Sequence, residues 1–207
     1  MAYLLPTDYP NYGLPISTTA DWITAATALI NSYCRRPDLN VIQYTERLRL
    51  TSGSQTALLS YLPLSPLGAA TSPLVSLTGR YAKPRRGELP NQPLSEIALA
   101  FSLPGQWTAI DPATVDYDPN TGELTLPWNV LGLPYNEIEV TYTAGLVTIG
   151  DDVKSACAQI VRNAQATPAL NTSMSKIDTM QVKYFSSSLV DETVQAWLNP
   201  YKANRLG

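Results

Sequence analysis

The chain has no histidine in 207 residues, only two cysteines and two phenylalanines, and few charges, which make up 15% of its residues. Without imidazole, neither a Ser-His-Asp triad nor a Cys-His pair can be built in its usual form, and the commonest zinc ligand is missing. The two cysteines, Cys34 and Cys157, each fall on the apolar stripe of a predicted helix. Core packing of two reduced thiols is expected, ahead of a disulfide or a metal site. No apolar run approaches the roughly 20 residues of a membrane span. Met1-Ala2-Tyr3-Leu4-Leu5-Pro6 lacks the basic start and long apolar stretch of a secretory leader, so synthesis in a cytoplasm without membrane contact is expected. With 14 basic and 17 acidic residues the net charge is -3, which gives no general attraction to nucleic acid, although a channel that passes DNA need not be basic. So little charge implies a surface of Ser, Thr, Asn and Gln, or one partly covered by partners.

What is present supports a core: 44% of residues are hydrophobic, enough for one sizeable domain or one domain carrying an embedded subdomain. The most informative stretch is Ile138-Glu139-Val140-Thr141-Tyr142-Thr143-Ala144-Gly145. Its apolar and polar residues alternate with the period of a half-buried strand, and Ala144-Gly145 ends it. After Asp151-Asp152, the positions Val153, Ala156, Cys157, Ile160, Val161 and Ala164 recur at helical spacing until Pro168. An earlier helix runs from Thr18 or Thr19 to about Arg36, with Trp22, Ile23, Ala26, Leu29, Ile30, Tyr33 and Cys34 on one face and Pro37 as its stop. More than 100 residues separate the two helices, and packing on each other is the economical arrangement.

Between them the pattern is β. Val41 to Leu50 alternates, with Ile42, Tyr44, Leu48 and Leu50 on one side and Gln43, Thr45, Arg47 and Arg49 on the other. Short strands follow near Leu74–Leu77, Ile97–Phe101, Val115–Tyr117, Glu123–Leu126 and Ile138–Tyr142, and Asp118-Pro119-Asn120-Thr121-Gly122 marks a turn between two of them. This spacing suggests a small antiparallel sandwich or barrel. The first 17 residues, with Pro6, Pro10, Gly13 and Pro15, read as an extended arm. At the other end Asn171–Lys176 is polar, Met180, Val182 and Tyr184 alternate as a strand over 179–185, and Asp191 precedes a short helix through Trp197 and Leu198. A lone strand cannot satisfy its own backbone, so 179–185 is expected to pair with the insert or with another chain. The expected fold class is α+β: a helical core, its long N-terminal helix packed on the later one, with an embedded antiparallel β subdomain and an extended C-terminal segment.

Chemistry-bearing motifs are few. There is no phosphate-binding loop, dinucleotide fingerprint, CxxC pair or metal-spaced carboxylate cluster. Asp116 with Asp118, and Asp151 with Asp152, are explained by a hairpin turn and a helix start. No catalytic residue, metal or cofactor is expected, and the chain reads as a non-enzyme. Twelve Tyr against two Phe is a less neutral observation, because a ring with a polar tip suits wet interfaces between proteins and stacking on sugars. Tyr3, Tyr9 and Tyr12 in the arm, with Trp197 and Tyr201 near the far end, are the candidate contact residues. Arg80, Lys83, Arg85 and Arg86 form a candidate basic loop for phosphate or an acidic partner, with a plain solvated loop as the competing reading.

Taken in order, several segments resemble the head-tail connector, or adaptor, family of bacteriophages over most of the chain. They are "INSYCRR" ending the first helix, "YLPLSPL" at 61–67, "SPLVSLTG" at 72–79 and "YDPNTGEL" at 117–124. "IEVTYTAGL" with its helix and "VQAWLNPYKANR" at 194–205 complete the set. The resemblance implies an arm over 1–17 and an adaptor domain over 18–167, with helices at about 18–36 and 151–167 and a β-rich insert at about 41–143. Residues 168–207 would form a C-terminal loop, strand and short helix for intersubunit or portal contact. It further implies a homo-oligomeric ring of twelve copies beneath the portal protein, in the neck of the virion. That ring would extend the DNA channel without sequence-specific binding and offer a platform to the next neck, stopper or tail protein. A closed ring has heterologous contacts, so each subunit shows two different faces to its neighbours. By this resemblance portal or intersubunit contact falls to Trp197, Leu198, Pro200, Tyr201 and Arg205. The segments 78–94 and 167–178 are longer than in typical members. The Tyr and Trp content alternatively fits a carbohydrate-binding β module of a phage tail or surface protein.

Overall fold

The structure, a computed structural model, describes residues 2–50, 54–80, 105–127, 135–166, 174–177, 180–183 and 189–203, the two stretches within 174–183 by their backbone. The described residues form three α-helices, three 3-10 helices and nine strands in antiparallel sheets, a mixed α+β chain. They divide into a helical unit, residues up to 39 together with 148–203, and a β unit built on 40–147.

In the helical unit the first segment is not an extended arm. Pro6–Tyr12 is a 3-10 helix, with Pro6 at a position where its missing N–H costs nothing. It ends at Gly13, whose φ of 71° lets its N–H reach Pro10 O. Tyr3, Leu4, Tyr9 and Leu14 are all buried, and burying four such side chains draws the segment inward. Helix α1 spans Ala20–Cys34 and buries Ile23, Ala26, Thr27, Ile30 and Cys34. Trp22 and Leu29, expected on the buried face, are instead 41% and 36% exposed. The seven apolar positions span an arc wider than one neighbour covers. The buried set is centred toward Thr27, whose Oγ1 accepts from Tyr3 N–H at 3.4 Å, and Trp22 and Leu29 are left at the rim.

Helix α2 (Asp151–Ala166) packs against both α1 and α3 (Glu192–Leu198). Asp191 caps α3 by accepting from Val194 N–H at 2.8 Å. Asn163 of α2 is 7% exposed and donates to Leu189 O at 3.2 Å and Asp191 Oδ2 at 3.1 Å, tying the two helices. The strand expected over 179–185 appears as Met180–Lys183. Among the described residues it pairs with Met174–Ile177, which overlaps the polar stretch Asn171–Lys176, and not with the insert. A two-residue connection makes this neighbour the cheapest one to close on.

The β unit carries two sheets. Strands β1 (Ile42–Arg49), β7 (Glu137–Ala144), β3 (Leu74–Arg80) and β4 (Thr108–Ile110) lie in the order β1-β7-β3-β4. Strands β2 (Thr56–Leu58), β6 (Glu123–Thr125) and β5 (Asp116–Tyr117) form the other, in the order β2-β6-β5. Both sheets contribute to one core, which includes Leu77, Val140 and Tyr142 from the first and Ala57 and Leu124 from the second. The β5–β6 turn closes as its residues require: Asp118 Oδ1 accepts from Asn120 N–H at 2.8 Å, and Gly122 takes φ of 71°. A bulge between Leu74 and Ser76 turns Val75 outward, 51% exposed. The strand predicted at 97–101 lies outside the described residues.

Candidate functional site

Both ends of the helical unit converge on the first turn of α2. Tyr12 donates its phenol proton to Asp151 at 2.6 Å, Lys154 reaches Asp8 at 3.3 Å, and the Tyr201 phenol donates to Asp152. The hydrogen bond to Asp151 holds the Tyr12 phenol up to about 12, and burial followed by the bond to Asp152 does the same for Tyr201. The acidic helix start, which suits the positive end of the helix dipole, is therefore occupied by the protein's own donors. The C-terminal end is fastened further by Ala203 N–H to Cys34 O at 2.9 Å, by Tyr33 to Asn199 at 2.9 Å, and by Lys202 lying 4.0 Å from the Tyr33 ring centroid.

These contacts sort the candidates. Tyr3 and Tyr9 are core residues, 3% and 2% exposed. The Tyr3 phenol lies inside, donating to Asn31 and accepting from Leu39 N–H at 2.7 Å. Leu198 is fully buried and packs within the chain itself. Trp197 and Tyr201 are half-buried and Pro200 is exposed, so these three lie together at the surface around the end of α3. Tyr12 is partly exposed, its phenol engaged with Asp151. Arg205, Lys83, Arg85 and Arg86 lie outside the described residues. The residues that sequence reasoning missed are Trp22 and Leu29, one face of α1 open to solvent; their place seven apart at the margin of the stripe was the available sign.

Arg80 stands apart from its expected loop. It is the last residue of β3, and with Arg47 of β1 it grips one carboxylate of β7: Arg47 Nε lies 2.7 Å from Glu137 Oε1, and Arg80 Nε 2.7 Å from Glu137 Oε2. The two guanidinium carbons lie 5.2 and 4.5 Å from the centroid of the Trp107 ring, just before β4. Burial pushes the Glu137 carboxyl up, but the hydrogen bonds from Arg47 and Arg80 outweigh it and hold it below its usual range. Sequence reading saw Arg47 only as one of four outward residues.

The described tyrosines of the β unit lie in its core or pack against it. Tyr44 and Tyr61 stack on each other with centroids 3.9 Å apart, and fully buried Tyr142 accepts from Tyr61 N–H at 3.2 Å. Cys34 and Cys157 are buried free thiols, each raised to about 11 by burial. Among the described residues no cluster of three or more His, Cys, Asp or Glu could hold a metal ion, and no helix is long and apolar enough to cross a membrane. No protein-family model matches the chain, and no curated protein matches it significantly.

Proposed function

We propose that this chain is a virion structural protein, a head-tail connector that assembles as a homo-oligomeric ring beneath a portal protein and carries the next neck or tail component. One observation carries the reading: six connector-like segments occur in the family's order along one chain, centred on the strand-glycine-helix unit Glu137–Ala144, Gly145 and Asp151–Ala166. In this reading the helical unit is the core, and the β unit is the insert that returns to it through Gly145. The work is binding and geometry without chemistry. The exposed Trp22–Leu29 face of α1 and the Trp197, Pro200 and Tyr201 surface supply apolar area for two different contacts, as a ring requires.

The carbohydrate reading loses support from the β unit, whose Tyr44, Tyr61 and Tyr142 are spent on each other and on the core. The test is co-expression with the portal protein encoded by the same genome. Co-purification as a ring seen by negative-stain microscopy is the expected result. Failure to bind a native portal across a range of salt concentrations overturns the proposal.

A further inference from the structure

The Arg47–Glu137–Arg80 cluster leaves something unused. Glu137 engages each arginine through Nε, and no hydrogen bond of the described residues engages the terminal nitrogens of either guanidinium, nor are those nitrogens sealed from solvent. Each arginine therefore keeps a two-nitrogen fork. Both arginines are anchored: one carboxylate binds each through Nε, the Trp107 ring centroid lies within 5.2 Å of one guanidinium carbon and 4.5 Å of the other, and β1, β3 and β7 hold the backbones in register. Two guanidiniums against the Glu137 carboxylate leave a charge of +1, with Glu139, across from Arg47 on β7, as a further carboxylate acting on that arginine. The Arg47 side chain is 48% exposed and that of Arg80 19%.

A planar fork is the donor geometry that matches an oxyanion, and holding it in place beforehand removes the side-chain entropy that a flexible lysine would lose. A carboxylate offers one edge of two oxygens, which one fork fills. A tetrahedral phosphate offers a separate edge to each of two forks. We infer that Arg47 and Arg80, preset by Glu137 and Trp107, form a phosphate-binding site on the outer face of the four-stranded sheet. The phosphate can be free or a diester of a nucleic-acid backbone; the second source rests on the connector reading, in which this sheet face would meet the DNA that passes the ring.

The test uses the full chain. Titration with inorganic phosphate, followed by the Arg Nε–H resonances in NMR, is expected to shift the Arg47 and Arg80 signals and leave Arg35 unmoved. A labelled mixed-sequence DNA duplex, followed by fluorescence anisotropy across salt concentrations, reads the diester. If the duplex binds at the same two forks, replacing both arginines by alanine should lower the slope of log affinity against log salt by about 1, for the one phosphate they share, while a lysine pair leaves it unchanged. The variant pair Arg47→Lys and Arg80→Lys keeps the charge and discards the forks; a loss of phosphate affinity of about tenfold with unchanged far-ultraviolet circular dichroism supports the site. Phosphate shifts at both arginines without duplex binding support the site with free phosphate as its source. Unaltered affinity in the double Lys variant overturns it, as does tighter binding of a poly-glutamate peptide than of phosphate at the same resonances, which would mark an acidic protein surface instead. Ring formation with the portal is scored separately, so a failed ring with intact phosphate shifts counts against the connector reading alone.

Discussion

The two units of this chain are closed in different ways. In the β unit, backbone groups pair between strands, and its described ion pairs, Arg47–Glu137 and Arg80–Glu137, link strands that are direct neighbours in one sheet. In the helical unit the hydrogen bonds lie mainly within each helix, and beside apolar packing the parts are fastened by single contacts from distant ends, such as Tyr3 to Asn31 and Leu39, Tyr12 to Asp151, and Tyr201 to Asp152. Three of these four partnerships span more than 30 residues. The lesson is that the helical unit depends on its termini and the β unit on its registers, so the two should fail under different perturbations.

Tyr3→Ala is the largest single break. Tyr3 is 3% exposed, and deleting a buried aromatic ring typically costs about 3–5 kcal/mol. Tyr3→Phe keeps the ring but leaves the Leu39 N–H without its acceptor, an expected loss of about 1–2 kcal/mol. Urea unfolding followed at Trp22 and Trp197, in a variant lacking the other two tryptophans, reports the helical unit; Trp107 alone reports the β unit. The comparison predicts that both substitutions move the first transition more than the second. Equal displacement of both would mean that the units unfold as one.

pH should separate them from opposite sides. The helical unit holds Cys34 and Cys157, raised from 9 to about 11, and Tyr12 and Tyr201, raised from 10 to about 12. Burial also pushes the Tyr3 phenol upward. A group whose folded value is raised contributes stability in full below its unfolded value and loses it as pH rises through the folded one. The helical unit should therefore weaken between about pH 9 and 12. In the β unit the burial-driven rise of the Tyr142 phenol acts in the same direction, but Glu137 and Asp118 are lowered, Glu137 because its two arginines outweigh burial and Asp118 mainly through the Asn120 N–H. Their contribution is present in full above the ordinary carboxylate range and is lost as pH falls from that range through their lowered folded values. Acid titration read at Trp107 should therefore show a transition before the helical reporters do, and alkaline titration the reverse order. Coincident transitions on both sides would remove the distinction.

How much of this was legible follows from the range of the forces involved. Strands β1, β3, β6 and β7 and the Asp118–Gly122 turn are written in local alternation and turn chemistry, and both long helices in apolar period and proline stops. Strands β2 and β4, three residues each, are not read from the sequence, because unlike the comparably short β5 and β6 they do not flank the marked Asp118–Gly122 turn. The burial of Tyr3 and Tyr9 was invisible for a related reason. Their partners lie on α1 and α2, and nothing within the first 17 residues encodes those contacts. The Arg47–Glu137–Arg80 grouping needed the register of β1 and β3 on β7, which unites positions 33 to 90 residues apart along the chain only once the sheet is drawn.

The smallest expected effect has the opposite sign. Among the described residues, positive φ in the β unit falls only on glycines, Gly68, Gly122 and Gly145, whereas the helical unit has Gly13 and also Arg35 at φ of 57°. Arg35 stands just past the end of α1, where its N–H reaches Ser32 O at 3.2 Å and Arg36 N–H reaches Asn31 O at 3.0 Å. This is the left-handed position that glycine adopts without the Cβ penalty of about 1–2 kcal/mol. Arg35→Gly removes that penalty but widens the freedom of the unfolded chain, for an expected net gain of about 0.5 kcal/mol. Arg35→Ala, which retains the Cβ, should give no gain. The gain should appear in the Trp22 and Trp197 transition and leave the Trp107 transition unmoved, since the cap belongs to the helical unit alone. An equal gain from alanine would show that the Arg35 side chain, rather than its backbone, is what weakens the end of α1.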